Sequence, residues 1–386
     1  MRQSPSPITA VSLAYFTYYG AIGCFFPFIG VHFRQLGLDG TQIGVLMTVP
    51  AIGVAVFAPL WGMLADRFDK HRLVMRMSLA PAAVAAATLA FADSFSALLF
   101  VSAVWAFFVA PSASIIDSYA VAISEQFGVA FGRLRLWGTL GFIAGVALLG
   151  WWMGDAVDSR FLLVYAACLL CTAAATLAFP AIHRHTRRMT LQDVGDALRR
   201  PVLVGLLAAY FVLSIALSTV NQYFGIYMTE LGASARLLST SSVLLAVAEL
   251  PILFGSARIV ERFGSRRMLM AAMLVYAFRF AVYSLLRAPE WVLPVQLLNG
   301  LSFGMLVLAI TRLAHEFSGP QLTATAQGLL ASAQATGSII GLFTTGALLD
   351  VYGIFAIFRG MALVSLLAFV IFRFGLRRSA TAPLSP

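Results

Sequence analysis

Residues 62–72 read Gly62-Met63-Leu64-Ala65-Asp66-Arg67-Phe68-Asp69-Lys70-His71-Arg72, and residues 261–267 read Glu261-Arg262-Phe263-Gly264-Ser265-Arg266-Arg267. Laid over each other, Asp66-Arg67-Phe68 meets Glu261-Arg262-Phe263 and Arg72 meets Arg267, at a displacement of 195 residues. The same displacement relates HFRQLG at 32–37 to YMTELG at 227–232, and Asp155 to Asp350; Gly141-xxx-Gly145 and Gly337-xxx-Gly341 lie 196 apart. A common displacement close to half of the 386 residues marks an internal duplication.

Around these stretches the chain is apolar. Hydrophobic residues make up 60% and charged residues 11%, against about 25% charged in a soluble domain. That composition excludes a soluble enzyme, a disulfide scaffold and a disordered chain. Reading apolar runs between charged or Gly/Pro-rich breaks predicts twelve membrane-spanning helices, at 8–33, 41–64, 73–91, 95–120, 134–154 and 160–181, then 201–229, 238–260, 268–287, 291–313, 322–349 and 353–373. The polar stretch 183–200 divides them, giving an N-terminal six-helix bundle at 1–182, a cytoplasmic linker at 183–200 and a C-terminal six-helix bundle at 201–386. The first run is expected to be a retained span rather than a cleaved signal.

Charge fixes the expected orientation. With the N-terminus inside, twenty Lys/Arg fall in cytoplasmic tails and loops and four, Arg34, Arg160, Arg236 and Arg287, fall outside. That imbalance follows the positive-inside rule and explains the net charge of +10 without nucleic acid. Both termini are expected in the cytoplasm. Two halves of the same orientation imply a transporter architecture with a solute site between the repeats at mid-membrane depth. Cys24, Cys168 and Cys171 carry no metal-site or disulfide spacing and are expected to be packing residues. No phosphate-binding loop, H-E-x-x-H or G-x-S-x-G occurs, so no catalytic residues, cofactor or metal are expected.

Ionisable residues inside a span are costly and are functional candidates. Glu249 in the eighth span and Arg279 in the ninth reach similar depths and are expected to face each other as a proton-coupling pair; a fixed structural ion pair is the alternative. Pro251 is expected to loosen the helix beside the carboxylate. Tyr19, Asn221, Tyr223, Gln296 and Asn299 form the expected polar lining of a solute cavity, each with an interhelical contact as its alternative. The glycines at 138, 141, 145, 337 and 341 are expected at close helix contacts. His315 and Glu316 fall at the cytoplasmic end of the tenth span and are not read as a proton relay.

The Gly62 to Arg72 stretch resembles the G-xxx-D-R-x-G-R-R signature of the major facilitator superfamily, with Asp69 where Gly is usual; its copy starts with Glu261 rather than Asp. Pro111-x5-Asp117, Gly132-Arg133-Leu134-Arg135-Leu136-Trp137-Gly138, Ala248-Glu249-Leu250-Pro251 and Ala324-Thr325-Ala326-Gln327-Gly328 resemble the branch holding phenylpropionate permeases, related to lactose permease and nucleoside–proton symporters. The resemblance implies the major facilitator fold, an all-α membrane protein working by alternating access, usually as a monomer. It implies that Asp117 and Arg135 bind the solute or gate it; a salt bridge that only positions the fourth and fifth spans is the alternative reading. It implies that Gly62, Asp66, Arg67, Arg72, Glu261, Arg262 and Arg266 form the cytoplasmic gate; membrane anchoring is the alternative reading of those charges. The expected function is solute–proton symport for uptake across a bacterial inner membrane, an aromatic acid such as phenylpropionate favoured over a nucleoside or an oligosaccharide. The expected partners are the solute, protons and the lipid bilayer. The competing readings are an exporter or facilitator of the same fold and a non-transporting membrane sensor.

Overall fold

The computed structural model describes residues 6–68, 71–179, 190–254, 262–319 and 321–380, and of 66, 68, 71, 191, 253–254 and 377–380 the backbone alone. Glu261 and the side chain of Asp66, both expected in the gate, lie outside the described residues, as do 183–189 of the expected linker. No strand occurs among the described residues.

The helices are α1 (Pro7–Gln35), α2 (Gly40–Ala65), α3 (His71–Leu89), α4 (Phe95–Phe127), α5 (Phe131–Met153) and α6 (Phe161–Ala178), then α7 (Pro201–Glu230), α8 (Ala235–Phe254), α9 (Ser265–Tyr283) and α10 (Pro289–Ser318). A final helix, Thr323–Ala380, breaks at Gly353 into α11 (323–352) and α12 (354–380). Gly353 has φ 74°, a left-handed backbone that turns the chain at no steric cost only where Cβ is absent. Length and composition alone pick out ten continuous apolar segments among the described residues. The break at Gly353 divides the last of them, and α9 joins the set, held back only by its three arginines at 266, 267 and 279. The result is the all-helical twelve-span fold.

Local chemistry sets the helix starts. The Ser6 hydroxyl accepts from the Thr9 N–H at 3.2 Å ahead of Pro7 at the first turn. Asp39 and Gln42 close a capping box at α2. Pro111 sits at the junction of the two pieces of α4, Phe95–Val109 and Ser112–Phe127. Two π-turns interrupt the long helices, Gly53–Phe57 in α2 and Gly300–Gly304 in α10. In the polar stretch after the sixth span, Leu191–Leu198 is a short helix capped by a Thr190–Asp193 box.

The chain divides into two compact units: residues 1–185 with 228–243, and 186–227 with 244–386. Within the first, α5 and α1 meet backbone to backbone. A Cβ added at Gly141 would run into the Phe16 carbonyl oxygen, and one at Gly145 into that of Gly20. Within the second, α11 and α7 meet the same way: Gly337 abuts the Phe211 carbonyl oxygen and Gly341 that of Ile215, each 2.5 Å from where a Cβ would stand. Phe16 and Phe211, like Gly20 and Ile215, lie 195 apart, so the duplication seen in the sequence recurs as a duplicated contact. A second pair repeats with its glycine exchanged: Gly53 of α2 against Ala106 of α4, and Gly300 of α10 against Ala248 of α8. The 228–243 segment belongs with the first unit because the Arg236 and Ala235 N–H groups donate to the carbonyls of Gly154 and Asp155 at 2.9 and 3.2 Å.

These contacts carry a stability prediction. Gly141→Ala forces a methyl onto a backbone oxygen that has no rotamer to yield, and is expected to cost about 1–3 kcal/mol. Gly360→Ala, with nothing within 4 Å of the new carbon, is expected to be neutral or stabilising. Thermal melting of the purified variants checks both; equal midpoints would remove the close contact from the account of how α1 and α5 pair.

Candidate functional site

Arg279, four residues before the end of α9, is 3% exposed, and side chains of the second unit gather to satisfy it. One terminal nitrogen, Nη1, donates to Asn299 Oδ1 at 2.8 Å and to the Ser302 hydroxyl at 2.6 Å. The other, Nη2, donates to Gln296 Oε1 at 3.0 Å and to the Tyr283 hydroxyl at 3.1 Å. The rings of Tyr276 and Tyr283 stand 5.9 and 5.8 Å from the guanidinium carbon. A buried charge without such partners would be prohibitively costly. Nε is buried without a hydrogen-bond partner.

Asn299 joins Arg279 to Glu249. Its carbonyl oxygen accepts from Arg279, while its Nδ2 donates to Glu249 Oε1 at 2.7 Å and to the Leu245 carbonyl at 3.3 Å. The amide thus lies between the cation and the half-buried carboxylate, its dipole aligned with both. The geometry depends on the π-turn. Asn299 precedes it and Ser302 lies in it, and the locally wider winding presents both to one guanidinium nitrogen. Gly300 and Gly304 let α10 approach Ala248 and Ile252 of α8, which brings Glu249 within reach.

In the first unit Asp117 of α4 receives a short hydrogen bond from the Tyr15 hydroxyl of α1, 2.6 Å, and Arg135 Nη1 of α5 stands 3.6 Å from the same oxygen. The side chains of Asp117 and Arg135 are 39% and 54% exposed. At that exposure an ion pair is worth at most about 1 kcal/mol, so the guanidinium is not committed to the pair. Tyr19 stacks on Tyr15 with centroids 5.8 Å apart, and Gly138 leaves room for both rings against α5.

The remaining candidates divide. Gln296 and Asn299, expected as cavity lining, both bind Arg279. Tyr223 is buried and donates to the Leu342 carbonyl of α11 at 3.0 Å, tying α7 to α11. Asn221 is exposed. Of the expected gate, Gly62 is half-buried and Arg67 exposed, and Arg72 donates to the Phe179 carbonyl at 2.9 Å, where α6 ends. Arg262 and Arg266 are exposed, their guanidinium groups 5.8 and 5.3 Å from the rings of Phe263 and Phe317. Glu316 accepts from Ser265 and Arg312, at the start of α9 and far along α10 from Asn299. Sequence reading missed Ser302, Tyr276 and Tyr283 as partners of Arg279. Their four-residue and three-residue spacing from Arg279, on one face of α9, was the available signal for the tyrosines. None existed for Ser302, whose placement depends on the π-turn.

Comparison with known proteins places these features in a setting. A family model described as the MFS_1 like family matches residues 8–360. The maltose permease of Geobacillus stearothermophilus is 26% identical over 378 residues, covering 97% of this chain and 96% of its own length. The probable 3-phenylpropionic acid transporter of Escherichia coli (strain K12) is 28% identical over 378 residues, covering 92% of this chain and 94% of its own. Among solved structures the nucleoside transporter NupG has a TM-score of 0.85 at 16% identity, covering 96% of this chain and 99% of that one, a likeness of fold.

The Arg279 network yields a second stability prediction. Asn299→Leu strips one partner each from a buried cation and a carboxylate, and is expected to cost about 1–3 kcal/mol. Ser332→Ala removes a hydroxyl that only returns to the Gly328 carbonyl of its own helix, and should stay within about 0.5 kcal/mol. Melting midpoints compare the two; a neutral Asn299→Leu would mean that the bridge holds nothing together.

Proposed function

We propose that this chain, which belongs to the MFS_1 like family, imports a small organic acid together with protons. Membership makes it a membrane transporter and not an enzyme, an integral protein that carries a solute across the bilayer. Proton coupling, inward direction, a bacterial inner membrane, cytoplasmic termini and a monomeric state are our reading beyond that.

The observation that carries the coupling is the Glu249–Asn299–Arg279 bridge. Ionised Glu249 is a strong acceptor for the Asn299 amide, and through it is tied to the Arg279 charge. Protonation weakens that acceptor and frees the amide, and the α8–α10 contact loses its charged link. A proton taken up outside and lost inside converts this change into work, about 2.3 kcal/mol per 100 mV for each charge moved. Protonated Glu249 with solute bound favours the rocking of the two six-helix halves; deprotonation inside completes release. Gly62, Asp66, Arg67, Arg72, Glu261, Arg262 and Arg266 form the cytoplasmic gate, whose contacts would favour the outward-facing state.

The solute class rests on Arg135. Its guanidinium is half exposed beside Asp117 and the half-buried Tyr19, which stacks on the buried Tyr15, so a carboxylate finds a fork of donors and an aromatic body finds the ring surface of Tyr19. The printed name of one whole-length relative, a probable 3-phenylpropionic acid transporter, fits that chemistry. A maltose permease matches over a similar length, which makes a sugar the competing solute.

Purified protein in weakly buffered proteoliposomes tests the reading. Adding phenylpropionate outside is expected to raise the external pH, and Glu249→Gln to abolish that rise while counterflow of labelled solute persists. Proton-coupled uptake at the normal rate by Glu249→Gln would overturn the coupling role, and a response to maltose or uridine alone would overturn the organic-acid assignment. Arg135→Gln is expected to raise KM for the acid about ten-fold or more, the value of a charged hydrogen bond, with a smaller change in kcat. An unchanged KM would place Arg135 outside the binding site.

A further inference from the structure

Beside the cytoplasmic-charge repeat of the second unit lies a cavity of about 520 Å³, lined by Arg262, Phe263, Gly264, Ser265, Arg266, Arg267, Arg312 and Glu316. Four guanidinium groups face one carboxylate, and that carboxylate is already engaged by Arg312 at 3.3 Å and Ser265 at 3.2 Å. Among the described residues no acidic side chain pairs with Arg262, Arg266 or Arg267; the first two lie near aromatic rings, which leave their N–H groups unspent. The start of α9 opens onto the same space. Its cap residue, Gly264, offers no side chain to the first-turn N–H groups, so the positive end of a 19-residue helix adds to the arginines.

The duplicated half shows that this excess is not an obligatory product of the repeat. There Arg72, the counterpart of Arg267, is spent on the Phe179 carbonyl, and Arg76 one turn on reaches the Thr176 and Leu177 carbonyls at 3.4 Å. Both close the end of α6. Arg267 makes no such bond among the described residues.

We propose that this cavity binds a phosphate group, supplied as the phosphodiester headgroup of an anionic phospholipid. Guanidinium forks and open helix N–H groups are the donors that tetrahedral oxyanions take. A lipid is favoured over a dissolved phosphate by the apolar surface at the rim. Phe263, 53% exposed, lines the same cavity, and Met268 onward carries α9 directly into its apolar span. A headgroup seated on the arginines therefore has its acyl chains beside hydrocarbon-facing helix. The site is separate from the solute and proton residues, so it stands whether or not the chain couples solute to protons.

Native mass spectrometry of the delipidated full-length protein tests this, with phosphatidylglycerol and phosphatidylcholine of matched chains as probes. The protein is expected to retain phosphatidylglycerol preferentially, and Arg266→Gln/Arg267→Gln to lose roughly five-fold in affinity per arginine removed. Arg133→Gln/Arg199→Gln, with the same loss of charge away from the cavity, should keep the preference. Glu316→Gln, which removes the one negative charge among the described residues of the lining, should strengthen retention and serves if the double arginine variant does not fold. No headgroup preference, an equal loss in the Arg133/Arg199 control, or weaker retention by Glu316→Gln would overturn the proposal. A rise in melting midpoint with millimolar inorganic phosphate, absent in Arg266→Gln/Arg267→Gln and without any lipid preference, would reassign the cavity to a soluble phosphate and overturn the lipid source.

Discussion

Hydrocarbon offers no hydrogen bonds, and the arrangement of polar groups in this chain answers that shortage. Every main-chain donor and acceptor within a span must find its partner inside the protein, which leaves helices as the only form open to an alternation-free apolar sequence. The same rule governs side chains. Arg279 is buried and cannot reach water, so four neutral acceptors and two rings from α9 and α10 surround it. That demand fixes the face α10 turns to α9, and Asn299, once turned, delivers its amide to Glu249 of α8. Three helices are thus positioned by the needs of one guanidinium.

The duplication shows which contacts the fold requires and which are free to vary. The glycine faces of α5 and α11 press on carbonyls of α1 and α7 at matching places in both units. The α2–α4 and α8–α10 contacts preserve close approach while exchanging which helix supplies the glycine. The polar clusters within the spans, by contrast, are not duplicated. Asp117 and Arg135 sit half-exposed in the first unit beside a buried Tyr15, whereas Arg279 of the second is buried and Glu249 half-buried. A shared scaffold has been given two different electrostatic settings.

Much of this was legible in the residues. The twelve apolar runs, the 195-residue displacement and the matched depth of Glu249 and Arg279 all come from spacing, and spacing is preserved when a regular helix forms. What was not legible depends on departures from regularity. Glu249 and Arg279 are linked through Asn299 rather than only opposed, because the π-turn at Gly300–Gly304 changes which side chains share a face. Ser302 was missed for the same reason. Tyr223 belonged among polar candidates by type, yet its hydroxyl is spent on the Leu342 carbonyl, a choice set by how closely α7 and α11 approach. The continuation of α4 to Phe127 and the unbroken helix on either side of Gly353 also exceed what apolar runs mark, since helices extend past the hydrophobic layer at no cost in water.

Two helices whose backbones touch have no side chains between them to repack. α1 and α5 can therefore turn only as one body, and the separation of Tyr15 on α1 from Arg135 on α5 is fixed as a rigid jaw. Asp117 rides on α4, a helix interrupted at Pro111, and its carboxylate is joined to that jaw by one short hydrogen bond and a loose ion pair. Of the three groups, Asp117 alone sits on a segment not held to the jaw backbone to backbone, so a change in their spacing is a shift of α4 after Pro111.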